Sequence, residues 1–292
     1  MYTASLLAIL ASAAMTVGLY FMKRQAERLP SLGGGWRWRA WVAFVCDPFW
    51  LLGLVLQIAG FLLYLSALHD APLSIVHTAL NGGIALFVVL AVVGLREVIR
   101  PLEWLGVSII TGALIALSFS LPVSPPAASA PHGMVLFSLA LSGLAALALA
   151  GDPSASRAIG LSVSSGLALG LGSVYAKAMA DAPSVTDAMQ SGYLLPTLGA
   201  NLVGFVLMQA SFQAGRGVVV MPVTSGLSNL VPIIGGMVVF GEQLPQHGVA
   251  ATLRPLAFAL AIAGAALLAA FGERTSPQPI RSPAARPPFR DS

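Results

Sequence analysis

Apolar runs of about 20 residues, separated by shorter polar stretches, make up most of the chain. A run of that length crosses the hydrocarbon core of a bilayer as one helix. We predict nine membrane-spanning helices, which are Thr3–Met22, Trp50–Leu68, Leu73–Leu95, Glu103–Leu121, Gly133–Ala150, Ile159–Ala180, Tyr193–Phe212, Val218–Phe240 and Pro255–Phe271. The pattern therefore predicts an all-α, polytopic membrane protein.

The residues around the first predicted span argue against a cleaved signal peptide. A signal peptide carries basic residues in front of its apolar segment. Here Lys23 and Arg24 follow the apolar run Thr3–Met22, and no basic residue precedes it. We therefore expect this span to belong to the mature protein. Two further stretches are predicted to be irregular: a short proline-rich linker at Pro122–Pro131 and a disordered tail at Thr275–Ser292.

Composition points to the membrane class in the same way. Of the 292 residues 57% are hydrophobic and only 9% are charged, whereas soluble domains carry about 25% charged residues. The single cysteine, Cys46, excludes an internal disulfide and any multi-cysteine metal site. The basic residues behind the net charge of +4 are spread over loops and tail, so we expect a lipid bilayer as partner and no nucleic acid.

The distribution of basic residues predicts the orientation of the chain. Thirteen of the 15 Lys and Arg residues follow odd-numbered spans or lie in the tail, and only Lys177 and Arg254 fall on the other side. Positive residues are retained on the cytoplasmic side of a membrane. We therefore predict an outside N-terminus and a cytoplasmic C-terminus, in a plasma membrane or an inner membrane of bacterial or organellar type.

The two halves of the chain contain matching motifs in the same order. With an offset of 145 residues, Tyr64 corresponds to Gln209 and Glu97 to Glu242. Near the ends of the first and sixth spans, Gly18 and Lys23 have the same spacing as Gly172 and Lys177. Spans one to four thus pair with spans six to nine, and span five connects them.

Paired spans are five apart, an odd number, so the two repeats have opposite orientations in the membrane. Inverted repeats place a binding site near the midplane, between two halves that move against each other. The predicted organisation is a first transmembrane repeat at 1–121, a linker and connector helix at 122–158, a second repeat at 159–271 and a disordered cytoplasmic tail at 272–292.

Several short motifs resemble the drug/metabolite transporter (DMT, EamA-like) superfamily. They are Ala71–Val76 at the start of the third span, Arg96-Glu97 at its end, Gly112–Leu114 in the fourth span, and Phe240–Leu244 in the second half. A long Gly-rich loop after the first span, Trp50–Gly53 opening the second, and nine spans are most similar to the magnesium-transporter-like (NIPA-type) branch. The resemblance covers residues 3–271 and implies inverted repeats and transport.

Polar side chains inside the predicted spans are the candidates for a transport site. Such groups are costly in lipid and usually face a cavity or another helix. The candidate residues for substrate binding, several of them in pairs on one helix face, are Gln57, Tyr64, His77, Asn81, Tyr175, Lys177, Gln209, Gln213, Ser225 and Asn229. The alternative role for each is a hydrogen bond that holds two helices together.

Three titratable groups are candidates for specific roles, and two of them have an alternative. His77 either couples transport to protons or holds an interfacial hydrogen bond. Lys177 either extends its amine to the membrane surface or meets an anionic substrate group. Glu97 is expected to form an ion pair at a gate, with Arg96 or Arg100 as its partner.

The second-half counterpart of Glu97 and the eighth span complete the list of candidates. Glu242 is expected to form a gate ion pair with Arg254. Pro222 and Pro232 remove two backbone donors from the eighth span. They indicate either a discontinuous helix that lines a cavity or a kink used in packing.

The charged residues that are missing narrow the substrate class. No Asp or Glu lies in the central part of any predicted span, and divalent cations are usually held by carboxylates among other oxygens. We therefore predict a secondary transporter or exporter of neutral, zwitterionic or amphipathic small solutes. A magnesium-like cation transporter that uses Asn81, Asn229, carbonyls and water is one alternative. A non-transporting scaffold or accessory subunit is another.

No enzyme signature is present in the sequence. A Walker-type loop, a Gly-x-Ser-x-Gly elbow and a protease-type metal cluster are all missing. We therefore predict no enzymatic activity, no catalytic residue, no cofactor and no resident metal. Pairs of small residues at Gly82-Gly83 and Gly235-Gly236 pack helices within the chain or form a homodimer, and the sequence leaves both possibilities open.

Overall fold

A computed structural model describes residues 2–30, 38–70, 73–119, 131–150, 157–180, 184–241 and 249–272. Nearly all of these residues are helical, and the described ranges contain no strand. The helices are α1 (Tyr2–Ala26), α2 (Trp38–Cys46), α3 (Pro48–Asp70), α4 (Leu73–Gly94), α5 (Pro101–Phe119), α6 (Pro131–Ala150), α7 (Arg157–Ala180), α8 (Val185–Gln190), α9 (Leu194–Ala214), α10 (Gly217–Val239) and α11 (Val249–Gly272). The all-α class is thus confirmed. The predicted tail and all but the last residue of the predicted linker lie outside the described residues.

Each predicted span coincides with one long helix, but the number of spans by length and composition is smaller than nine. Among the described residues, seven helices are long and apolar enough to cross a membrane, and a bent pair raises the number to eight. Thr78–Gly94 in α4 is apolar but shorter. The chain is therefore a multi-pass membrane protein, and nine spans remain a prediction.

The short helix α2 was not predicted, and its boundary with α3 has a local cause. The helix axis bends by 72° between Ala40–Cys46 and Pro48–Tyr64. The Asp47 carboxylate accepts a hydrogen bond of 2.7 Å from the Trp50 backbone N–H, and Pro48 follows it as the first helical residue. An Asp cap before an N-terminal proline is a helix-start signal. The other short helix that the sequence analysis missed is α8.

Small residues allow the helices to approach closely. A Cβ atom added at Gly18 on α1 would lie 2.6 Å from the Gly53 carbonyl oxygen on α3. One added at Gly264 on α11 would lie 3.0 Å from the Gly106 carbonyl oxygen on α5. Membrane helices associate through such small-residue seams because lipid provides no hydrophobic driving force between them.

The helix packing has the same pattern in both halves of the chain. α1 packs against α3 and α4, and α7 packs against α9 and α10. α5 and α11 pack along each other, and α10 also contacts α4 and α5. The core between the halves includes Phe87 and Phe212, whose rings stack with centroids 6.2 Å apart. α10 thus lies at the centre of the molecule.

The outer surface of the bundle is apolar. On α6, the side chains of Leu136, Leu139 and Leu147 are exposed by about two thirds or more of their surface. Soluble monomers rarely expose such continuous apolar surface. These faces are therefore suited to contact with lipid.

One glycine of each predicted pair packs against a neighbouring helix, and the two prolines of α10 lie within a continuous helix. Gly83 faces Ser12 and Thr16 of α1, and Gly235 faces Val174 and Phe137, so both are intramolecular packing sites. α10 runs as one helix from Gly217 to Val239 across both prolines. The described helix is therefore not discontinuous.

Candidate functional site: a polar cavity between α1, α4 and α10

A cavity of about 190 Å³ lies near the middle of α1, α4 and α10. Its polar lining comes from Ser12, Thr16, Asn81, Ser225 and Asn229, with Gly83 beside them. The other described lining residues are Met15, Leu19, Leu80, Ile84 and Met221, so the described part of the lining carries no charge. Three of the predicted candidates therefore meet in one place.

Asn81 has one fixed orientation because both of its amide hydrogens are used. Its Nδ2 donates to the Leu114 carbonyl oxygen and to Ser118 Oγ, each at 3.1 Å. Ser118 in turn donates its own hydroxyl hydrogen to the Leu114 carbonyl at 2.9 Å. Both α5 partners must accept, so the amide nitrogen faces α5 and Oδ1 is left for the cavity.

Asn229 is held in a similar way by its own helix. Its Nδ2 donates to the Ser225 carbonyl oxygen at 2.8 Å, one turn earlier on α10. A carbonyl only accepts, which again orients the amide with its nitrogen toward the backbone. Among the described residues Oδ1 of Asn229 accepts no bond, so it can accept one from a ligand in the cavity.

The α1 wall of the cavity was missed by the sequence analysis. Thr16 Oγ1 donates to the Gly83 carbonyl at 3.3 Å. A Cβ atom at Gly83 would lie 2.7 Å from the hydroxyl oxygens of both Ser12 and Thr16. Glycine is thus required for α1 and α4 to approach here. The available signal was the spacing of the two hydroxyl residues, four apart on the first span.

Three predicted glutamines lie outside the cavity and connect helices. Gln57 donates to the Met15 carbonyl at 2.9 Å. Gln209 is fully buried, and its Oε1 accepts from the Trp50 indole at 3.1 Å. Gln213 donates to the Ala26 carbonyl at 3.0 Å. All three join elements that are distant in sequence.

The remaining candidate residues either lie apart from the cavity or are not among the residues that the structure describes. The Tyr175 and Ser138 hydroxyls are 2.6 Å apart, and the Tyr175 ring stacks on Tyr193. Lys177 Nζ lies 4.6 Å from the centroid of the Phe240 ring. Tyr64 packs beside Phe61 on α3. The side chain of His77 and all of Glu242 are outside the described residues.

A second polar site surrounds the turn Gly215–Gly217 between α9 and α10. Lys23 of α1 is almost fully buried, and its Nζ donates to the Phe212 and Gly215 carbonyls at 2.6 Å each. Glu97 accepts from the backbone N–H groups of Gly217 at 2.7 Å and Val218 at 2.9 Å. A cation at a helix C-terminus and an anion at a helix N-terminus are both favourable. We call Lys23 and Glu97 the α9–α10 clamp.

The described partners of Glu97 differ from the predicted ones. Lys23 Nζ lies 3.9 Å from the Glu97 carboxylate and 2.7 Å from that of Glu27. Arg96 and Arg100 form no ion pair with Glu97 among the described residues. The reason is geometric: the chain turns at Arg96, where φ is +57°, and this turn directs Glu97 toward the start of α10.

A buried ion pair lies next to the α9–α10 clamp. Arg216 is paired with Glu103, whose side chain is completely buried, and it also donates to the Val98 carbonyl. Glu103 additionally accepts from the Arg100 backbone N–H at 2.8 Å, where α5 begins. The sequence analysis did not single out either Glu103 or Arg216, because their partnership depends on the packing of α10 against α5.

Comparison with known proteins gives one distant relative. The chain is 23% identical over 286 residues to a protein of Arabidopsis thaliana named probable magnesium transporter NIPA9, with 92% of this chain and 82% of that protein covered. No protein-family model and no solved structure matches. Together with the apolar helices, this similarity supports a membrane transporter.

Proposed function

We propose that the protein is a secondary transporter of small solutes that works by alternating access. The observation that carries the proposal is the polar cavity between α1 and α4 on one side and α10 on the other, whose described lining carries no charge. A transporter binds its substrate at such a mid-depth site between two moving halves. A non-transporting scaffold has no need for an open cavity at this position.

The packing supports inverted repeats, on which alternating access depends. Gly18 of α1 lies against Leu56 of α3, and Gly172 of α7 lies against Asn201 of α9. These two contacts correspond under the offsets found in the sequence. The Gly106–Gly264 contact joins the equivalent helices α5 and α11 to each other, as a two-fold relation between repeats requires.

The backbone at the ends of α4 and α10 supports the same relation. Arg96 has a φ of +57° and Gly241 a φ of +66°. The two residues are 145 positions apart, the offset that also relates Glu97 to Glu242. Both helices thus end in a left-handed residue directly before a glutamate.

The α9–α10 clamp is proposed as the closed gate on one side of the cavity. Lys23 and Glu97 belong to the first repeat and hold the turn between two helices of the second. In the inverted arrangement, the gate on the other side is proposed to use their counterparts in the sequence, Lys177 and Glu242. Exchange between these two gates exposes the cavity alternately to the two sides of the membrane.

Solute flux into proteoliposomes tests the function. A panel of neutral, zwitterionic and amphipathic solutes is offered to the purified protein under pH or potential gradients. We expect uptake that falls at least tenfold in Asn229→Ala. The matched control is Asn201→Ala, because Asn201 makes the same one-turn bond at 2.8 Å but is exposed on α9. Failure of every solute to move, or equal loss in both variants, would contradict the proposal.

A magnesium-like cation is the second candidate substrate. The distant relative is named a probable magnesium transporter, and amide and hydroxyl oxygens line the cavity. Against this, the described lining contains no carboxylate, which divalent sites usually include. Mg²⁺ uptake into the same proteoliposomes decides between the two substrate classes.

A further inference from the structure

We propose that the cavity binds small alkylammonium solutes, with the ammonium head on the amide oxygens of Asn81 and Asn229 and the alkyl body against the apolar wall. The inference rests on the proposed function and adds the chemical class of its substrate. It follows from three properties of the cavity: which hydrogen-bonding atoms are already used, which charges are missing, and which side chains form the rest of the lining.

Some of the hydrogen-bond donors of the lining are used within the protein. Asn81 uses both amide hydrogens on α5, Asn229 uses one on the Ser225 carbonyl, and Thr16 gives its hydroxyl hydrogen to Gly83. Among the described residues, Oδ1 of Asn81 and Oδ1 of Asn229 accept no hydrogen bond. The amide oxygens of Asn81 and Asn229 are therefore acceptors for a ligand, while the hydroxyls of Ser12 and Ser225 can either accept or donate.

The orientation of the two amides is fixed by chemistry. Turning Asn81 around would place Oδ1 against the Leu114 carbonyl, and turning Asn229 would place it against the Ser225 carbonyl. Two acceptors facing each other repel, and each amide group would lose its bond. Moreover, Asn81 lines the cavity, and Oδ1 is the polar atom of its amide that is not directed at α5.

The charges of the described lining select against anions. No Lys, Arg or His is among the described residues around the cavity, so no cationic side chain among them would offset the charge of a carboxylate or phosphate. A positively charged donor group is attracted to the amide oxygens, and hydrogen bonds that involve a charged group are stronger than those between neutral groups.

The size and the apolar wall favour an organic cation over a hydrated metal ion. At about 30 Å³ per water-sized group, 190 Å³ holds about six such groups. A hydrated Mg²⁺ directs water in every direction, whereas the wall formed by Leu80, Ile84 and Met221 offers it no acceptor oxygen. An ammonium head on a short alkyl chain matches both the polar and the apolar parts of the lining.

Thermal stability of the full chain in detergent measures binding directly, because a ligand that binds only the folded state raises the apparent melting temperature. The probes are n-pentylammonium, the neutral pentanol, the anion pentanoate and tetramethylammonium, which has charge but no N–H donor. We expect stabilisation by n-pentylammonium alone. Equal stabilisation by pentanol or tetramethylammonium, or stabilisation by pentanoate, would overturn the proposal.

Variants assign the effect to the cavity. Asn81→Leu is expected to weaken n-pentylammonium binding about tenfold or more, and Asn201→Leu on the exposed face of α9 is expected to leave it unchanged. If Asn81→Leu fails to fold, Ser225→Asp provides a second test, because a carboxylate in the cavity is expected to tighten binding about tenfold. No tightening in a folded Ser225→Asp protein would contradict the proposed site.

The outcomes separate this inference from the proposed function. Transport of a neutral solute that n-pentylammonium does not inhibit would overturn the ammonium class and leave the transporter standing. Stabilisation by Mg²⁺ that is lost in Asn81→Leu would replace the organic cation by a hydrated metal ion. A third outcome is that no solute is transported, while n-pentylammonium binds to the protein and does not bind to Asn81→Leu. This result would support the proposed binding site and contradict the transport function.

Discussion

The left-handed backbone at Arg96 is the residue-scale feature that positions a functional side chain. Its φ of +57° ends α4 and sends Glu97 to the N-terminus of α10. A side chain in this conformation costs about 1–2 kcal/mol, whereas glycine carries no such cost. The equivalent position in the second half is Gly241, with φ of +66°.

Arg96→Gly is therefore expected to stabilise the protein by about 1 kcal/mol. The measurement is the apparent melting temperature of the detergent-solubilised protein, which we expect to rise. Arg96→Ala is the matched control, since it removes the same exposed side chain and keeps the strained backbone. A rise of equal size in both variants would attribute the effect to charge rather than to φ.

Changing one residue of the pair Glu103 and Arg216 is expected to lower stability, in contrast to Arg96→Gly. Glu103→Gln leaves the buried Arg216 guanidinium without its carboxylate, and breaking one side of a buried pair costs about 3–5 kcal/mol. We expect a large drop in the melting temperature. The double variant Glu103→Gln/Arg216→Met is expected to recover most of it, because no lone charge then stays buried. An unaltered melting temperature in the single variant would show that the pair has no structural role.

At the scale of elements, the seam between α1 and α3 depends on glycine. A Cβ atom at Gly18 would approach the Gly53 carbonyl oxygen to 2.6 Å, and backbone cannot move aside as a side chain can. Gly18→Ala is expected to destabilise the protein by about 1–3 kcal/mol through overpacking. The measurement is the melting temperature in detergent.

Gly112→Ala is the matched control on another long helix. Gly112 of α5 is exposed and has nothing within 4 Å of its added Cβ. Alanine is expected to be neutral there or slightly stabilising, by up to about 1 kcal/mol, because it has the higher helix propensity. If both variants lose the same stability, close approach of α1 and α3 is not the cause.

At the scale of the whole molecule, the α9–α10 clamp connects the two halves. Glu97→Gln keeps the shape of the side chain but removes the charge that faces the α10 N-terminus and Lys23. We expect this variant to open the gate more often. Cysteine labelling measures how often the gate opens. In a Cys46→Ser background, the thiol of Ser225→Cys is expected to react several-fold faster in Glu97→Gln than with Glu97 present, when the reagent is added to the side where α1 ends.

The control for this experiment uses the same reagent from the other side. There, Glu97→Gln is expected to lower the labelling rate or to leave it unchanged, because alternating access opens one side at a time. Faster labelling from both sides would indicate general loosening of the bundle rather than release of a gate.

Much of the element-scale organisation was predictable, because lipid imposes a strong rule on sequence. Each long apolar run became a helix, since a backbone in hydrocarbon must satisfy its own hydrogen bonds. The boundaries also followed local signals, such as Asp47-Pro48 before α3. The short helices α2 and α8 escaped prediction, since no such length rule applies to them.

Residue roles were predictable only in part. Asn81, Ser225 and Asn229 were candidates by sequence, and all three line the cavity. Gln209 was an equally good candidate by polarity, yet it is buried against Trp50 and Met22. Polarity in a span requires a partner of some kind, but it does not distinguish a ligand from a neighbouring helix.

The sequence by itself determined that this is an all-α membrane protein with a recurring order of motifs, because apolar length and spacing act locally along the chain. Only the tertiary structure decided which polar groups meet. Lys23 and Phe212 are 189 residues apart, and Glu97 and Gly217 are 120 apart. Contacts of that range depend on how whole helices pack, since the small residues at the seams determine where two helices can approach closely.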